Sequence, residues 1–189
     1  MCRAFVEIHP KVHIDLQLTG DVLNLVKDSI DIAIRVGRLK DSSLIQKKIG
    51  RARMALFMSP SLQRKKGIMK RIEEAEQLPF LAFSNMQQGR TKIDVSNGKN
   101  RRTLDMNNTF TSNNFLVLRS LATHGMGLAR LPVYLVQEEL RRGSLVQVFN
   151  DWGSDDVPIQ VIIPQQREPS ARVRRFMDFV ATQMAPYFT

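Results

Sequence analysis

Short β-branched apolar runs alternate, along the whole of this sequence, with stretches whose apolar residues recur every three or four positions. That alternation predicts an α/β architecture, with helices laid on the faces of a sheet. The first example is compact. In VHIDLQL, Val12, Ile14, Leu16 and Leu18 alternate with polar residues, a strand pattern. Thr19-Gly20-Asp21 reads as a turn, and Val22, Leu25, Val26 and Ile30 carry helical spacing. The apolar run DIAIRVG follows and stops at Gly37. Strand, helix and strand in such quick succession predict a βαβ unit, hence parallel strands and a right-handed crossover.

The pattern continues. Arg3–Ile8 is a helix closed by Pro10. Leu44–Ile49 and Met54–Met58 are strands. Ser59-Pro60 opens a helix, SPSLQRKK, with Ser59 as N-cap, Pro60 at the first helical position and Gly67 beyond the end. IEEAEQL is a short acidic helical piece, and PFLAFS an apolar strand. KIDVSNGKNRRTLDM is a hairpin turning at Asn97-Gly98. Asn113–His124 is a helix capped by Ser112 or Asn113 and ended by Gly125. GMGLARL and SLVQVF are strands, with a helix from Pro132 to Leu140 between them. VPIQVIIP is the last strand. In the closing helix Val173, Phe176, Phe179, Val180 and Met184 form one apolar face.

Composition excludes several functions. Apolar residues make up 43% of the 189 positions, enough for a core and too many for a disordered chain. No apolar run approaches the roughly 18–20 residues that cross a bilayer. The opening MCRAFVEIHP has no apolar leader segment, so the expected compartment is the cytoplasm, with no membrane partner. One cysteine and three histidines rule out a disulfide framework and leave little for a metal centre. His9 and His13 are separated by Pro10, which keeps them off a shared helical face. No GxSxG elbow, HExxH or P-loop occurs, so neither an enzyme nor a cofactor is expected. The net charge of +10 is read either as a solvated basic surface or as the mark of an anionic partner. No aromatic residues interleave with it as a base-stacking platform requires.

Six short motifs, in order, resemble one family. Phe5–Ile8 with His9-Pro10-Lys11-Val12, then Asp31-Ile32-Ala33-Ile34-Arg35-Val36-Gly37, then Leu39-Lys40-Asp41-Ser42-Ser43-Leu44 are similar to the corresponding runs of LysR-type transcriptional regulators. So are Met58-Ser59-Pro60, Leu121-Ala122 through Leu131-Pro132, and Leu140, Gly143 and Leu145-Val146. They resemble the C-terminal effector-binding (regulatory) domain of that family across nearly the whole chain. The resemblance implies two Rossmann-like α/β lobes joined by two crossing strands, a periplasmic-binding-protein-like fold of type II. Lobe one is expected at residues 1–57 and 156–189, and lobe two at 58–155, with the closing helix on lobe one. Lobe one is expected to be incomplete at its start, because the chain begins inside what the family makes its first helix. The winged helix-turn-helix of the family is absent from these residues, so promoter DNA is expected as a partner only through a domain missing here. A homodimer or tetramer is implied, with its surface on the first helix and the Asn113–His124 helix.

Ligands of open α/β sheets sit outside the carboxyl ends of strands. That rule selects Thr19 and Gly20 after the first strand, and Arg35, Val36 and Gly37 at the end of DIAIRVG. Arg35 can hold a carboxylate bidentately or form an ion pair with Asp31 or Asp21. The PFLAFS strand ends in Phe83, Ser84 and Asn85, where the family resemblance implies effector contacts, and Ser112 and Asn113 open a helix whose N–H groups suit an anion. Each of these residues also has a plain reading as turn, cap or core. The function expected is binding of a small anionic or polar metabolite between the lobes, controlling a DNA-bound oligomer. The alternatives are a stand-alone cytoplasmic solute-binding protein of the same fold and a basic nucleic-acid-binding protein.

Overall fold

The chain crosses twice between two separately packed units, Met1–Ala52 with Val157–Thr189 and Arg53–Asp156. The computed structural model describes residues 2–19, 24–37, 44–83, 89–153, 156–164 and 169–184. Gly20, Ser84 and Asn85 lie outside the described residues.

Unit one holds α1 (Cys2–Ile8), β1 (Ala33–Val36), β2 (Leu44–Ala52), and, from the far end of the chain, β9 (Val157–Pro164) and α5 (Ala171–Met184). β9 is the middle strand of three and pairs antiparallel with both β1 and β2. Ile159, Val161, Ile162 and Ile163 are buried, which is why VPIQVIIP is apolar almost throughout. α5 buries Val173, Met177 and Val180, spaced by four and three. α1 packs on it through Phe5, whose ring meets Phe176 and Phe179 edge-on at 4.9 and 5.2 Å.

Here the structure corrects the sequence reading. Among the described residues β1 has an antiparallel partner and no parallel one, so the expected βαβ unit is not formed there. Val12–Leu18 belongs to no sheet, and Leu16 and Leu18 stand 65% and 82% exposed. Alternation makes a strand only where another strand supplies its hydrogen bonds, and none lies beside this segment among the described residues. The expected helix is, over Asn24–Ile30, a single turn. The Asp28 N–H donates to the Asn24 carbonyl at 2.9 Å, but Ser29 turns into the left-handed region at φ 55°. The Asn24 and Asp28 side chains accept backbone N–H groups of Lys27 and Asn24, an alternative to helical bonding.

Unit two is built on a six-stranded sheet ordered β5-β6-β4-β7-β3-β8. Its strands are β3 (Met54–Met58), β4 (Phe80–Phe83), β5 (Arg90–Ser96), β6 (Arg101–Ser112), β7 (Leu128–Pro132) and β8 (Val146–Val148). β4 runs parallel to both β6 and β7; the remaining pairs are antiparallel. Neighbouring residues send their side chains to opposite faces. Leu56, Met58, Phe80, Ala82, Leu104 and Met106 join one core, covered by α2 (Pro60–Lys66) and a 3-10 turn at Ile72–Gln77. Ala55, Phe57, Leu81, Ala129 and Leu131 join the other, covered by Leu118 and Ala122 of α3 (Phe115–Thr123). With both faces covered, the central strands are apolar without alternation.

Most expected elements of this unit stand where the sequence put them. Ser59 caps α2 by accepting the Leu62 N–H at 3.1 Å, and Gly67 ends it at φ 81°. The hairpin turns at Asn97–Asn100, with Gly98 at φ 84° and Asn97 Oδ1 accepting two backbone N–H groups. Two details differ. The cap of α3 is Asn114, not Ser112 or Asn113, because its Oδ1 receives the Leu116 N–H at 2.8 Å. The helix expected from Pro132 is broken into a 3-10 turn, Val133–Leu135, and α4 (Gln137–Arg141).

Candidate functional site

The carboxyl ends of parallel strands are the places where an open sheet leaves room for a ligand. In unit two β4 and β6 end together, with Phe83 in register with Ser112. The chain then enters α3, which crosses back over β4 to reach β7. This crossover brings Phe115, the first residue of α3, onto Phe83. The two rings lie 4.0 Å apart and 11° from parallel. Phe83 keeps 44% of its surface exposed, and Phe110, on the same side of β6, keeps 39%. Ser112 Oγ accepts the Asn114 N–H at 3.1 Å, which sets the turn into α3. Asn113 is exposed beside it. Phe83, Ser112 and Asn113 are therefore brought together, and Phe115 and Phe110 join them. The sequence reading used Phe115 only as a helix-face residue. Its position beside Phe83 follows once β4 and β6 are parallel and the helix starts at their shared end.

The unit-one residues lie differently. Thr19 is exposed and follows the segment that is not a strand. Arg35 is half-buried on the same side of β1 as Ala33, while Ile34 and Val36 lie on the more exposed side. Val36 is in register with Ile159 and Arg35 with Gln160. Gly37, at φ 118°, is held to β9 from both its polar groups. Its N–H donates to the Pro158 carbonyl at 2.8 Å, and its carbonyl accepts from Gln160 Nε2 at 3.0 Å. Its conformation is one that glycine adopts without strain.

Metal chemistry gains no footing among the described residues, where no group of three or more His, Cys, Asp or Glu side chains could hold an ion. His124 closes α3 through a 2.8 Å contact of its Nδ1 with the Ser120 carbonyl, and His9 packs against Phe5. An open hollow of about 550 Å3 lies at the β8 edge, lined by Arg53, Leu140, Gly143, Leu145, Val146 and Gln147. In the sheet order that edge is far from β4 and β6, so the hollow and the strand-end residues are separate features. No described helix is long and apolar enough to cross a membrane.

Comparison with known proteins supplies what geometry alone does not. The family model for the LysR substrate binding domain matches residues 1–185. The transcriptional regulator CrgA of Neisseria meningitidis serogroup C is 26% identical over 185 residues, which are 97% of this chain and 61% of that protein. The solved CrgA regulatory domain superposes with a TM-score of 0.83 at 25% identity, covering 96% of this chain and 89% of that one. The full-length virulence activator AphB of Vibrio cholerae gives 0.81 at 29% identity, covering 96% and 62%. The chain spans between 52% and 62% of the length of such curated relatives. These relatives are transcriptional regulators, a non-enzymatic family. The regulatory domains among them have a periplasmic-binding-protein-like α/β fold of type II. The chain belongs to the LysR substrate-binding domain family, the effector-binding module of LysR-type transcriptional regulators.

Proposed function

We propose that this chain senses a small anionic or polar metabolite and passes its presence to a DNA-bound regulator. The observation that carries the reading is the family match over residues 1–185. It is supported by the strand-end cluster of Phe83, Ser112 and Asn113, placed where sheets of this kind take ligands. Thr19, Gly20, Arg35, Val36 and Gly37 from unit one, with Ser84 and Asn85 beyond β4, complete the proposed ligand set. Bound ligand acts by its different affinity for two arrangements of the molecule, which shifts their populations. Promoter DNA is read by a helix-turn-helix outside these residues, in a cytoplasmic dimer or tetramer. Exposed Leu116 and Val117 on α3 offer apolar surface for that assembly.

A thermal-shift screen against small organic acids tests this. A true effector raises the melting temperature by mass action, the more so as its concentration passes its Kd. Thr19→Val and Ser84→Ala are expected to weaken the response to the best ligand. Unchanged response in both variants refutes the proposed ligand set. A screen without stabilisation, together with tight binding of this chain alone to duplex DNA at moderate salt, refutes the sensor reading and favours the basic nucleic-acid-binding protein.

A further inference from the structure

The phenylalanines of this chain are distributed unevenly. Phe5, Phe57 and Phe80 are at most 2% exposed. Among the described residues the two that stand well out, Phe83 and Phe110, are diagonal neighbours on the adjacent strands β4 and β6. Register places Phe110 opposite Leu81 and Ser112 opposite Phe83, so all four share the sheet face that α3 covers. α3 reaches Leu81, which is fully buried, and through Phe115 one face of Phe83, but leaves Phe83 44% and Phe110 39% exposed. Exposing apolar area costs about 25 cal/mol per Å2, so two part-exposed rings on neighbouring strands are an unfavourable arrangement for the unliganded unit. Phe115 shows how a flat ring seats here, lying nearly parallel to Phe83 at 4.0 Å.

We infer that Phe83, Phe115 and Phe110 form an aromatic platform, and that the effector carries a flat unsaturated ring which stacks on it. The inference rests on the sensor reading and deepens it. A ring is favoured over an acyl chain of equal area because the platform's quadrupoles reward offset stacking as well as burial. The platform itself carries no charged side chain, so it recognises the ring and leaves the polar group of the ligand to other residues.

The test compares two carboxylates of equal charge and similar size, benzoate and cyclohexanecarboxylate, by calorimetric titration of the 189-residue chain. As fragments they are expected to bind with Kd on the order of 1 mM. Benzoate is expected to bind about three- to tenfold tighter, the range that aromatic stacking contributes beyond area. Phe83→Leu, which keeps most of the apolar volume, is expected to abolish that preference, with the unliganded melting temperature lowered by only a few degrees as the stack on Phe115 is lost. Phe115→Leu serves as the second variant, should Phe83→Leu fold poorly. Equal binding of the two acids, or a preference untouched by both substitutions, overturns the ring inference and leaves the sensor reading standing. Failure of both acids, and of hexanoate, to bind at all overturns the ring inference, and the sensor reading is then decided by the thermal-shift screen. Loss of self-association in Phe83→Leu without a change in carboxylate binding also overturns the inference, since the patch is then an interface between copies.

Discussion

At the scale of single residues, the closest constraint in unit two is at Gly127. A Cβ there would lie 2.6 Å from the Pro79 carbonyl oxygen and 3.1 Å from Leu81 Cγ. That carbonyl also receives the Leu128 N–H at 2.8 Å, so it cannot retreat without loosening the junction of β4 and β7. Gly127→Ala is expected to cost about 1–3 kcal/mol, the range for overpacking a dense interior, seen as a lower urea midpoint at constant slope. Tyr134 carries the residue-scale pH dependence. Burial raises its phenol pKa above the ordinary 10.0. The unfolded chain therefore loses this proton first as pH rises. The stabilisation is complete below the unfolded pKa and is lost as pH climbs through the folded one. Tyr134→Phe is expected to lose less stability than the parent between about pH 9 and pH 11, in melting curves taken across that range. Residues such as these differ in how far sequence discloses them. Gly37, Gly67 and Gly98 sit at turns and could be read from their neighbours, and all three have positive φ. Gly127 has its reason in Pro79, forty-eight positions away in the chain, which no local pattern contains.

At the scale of elements, what could be read was whatever carries its own signals. α2 announces itself by Ser59, Pro60 and Gly67, and the cap is built as written. Ser59 is 2% exposed, accepts the Leu62 N–H and shares a 2.8 Å hydrogen bond with Ser61 Oγ. Ser59→Ala is expected to destabilise the chain by about 1 kcal/mol, shifting Tm by about 2–4 °C, whereas Ser59→Asp preserves the cap acceptor. The hairpin, β3 and β4 were legible for similar local reasons. Val12–Leu18 was misread because its alternation is a promise that only a neighbouring strand can keep. The parallel pairing expected of β1 failed because its true partner, β9, comes more than a hundred residues later. The site divides along the same line. Phe83 was proposed from a strand end and Ser112 from a helix start, while Phe115 needed the parallel pairing of β4 with β6 before it could be placed beside Phe83.

At the scale of the whole molecule, family resemblance carried what local physics left open. Six motifs in order named the domain, and the match over residues 1–185 bears the naming out. The net charge of +10 decided little, because several of its cations are engaged on the surface. Arg102 meets Glu73, Arg90 meets Asp105, and Lys47 meets Asp178 across unit one. Such exposed pairs contribute only about 0–1 kcal/mol each, so they shape the surface more than they hold the fold. Val12–Leu18 has a consequence at this scale too. Two leucines, well exposed outside any sheet, give other chains an apolar foothold. Charged replacements at Leu16 and Leu18 are expected to slow precipitation in concentrated solution, read by light scattering.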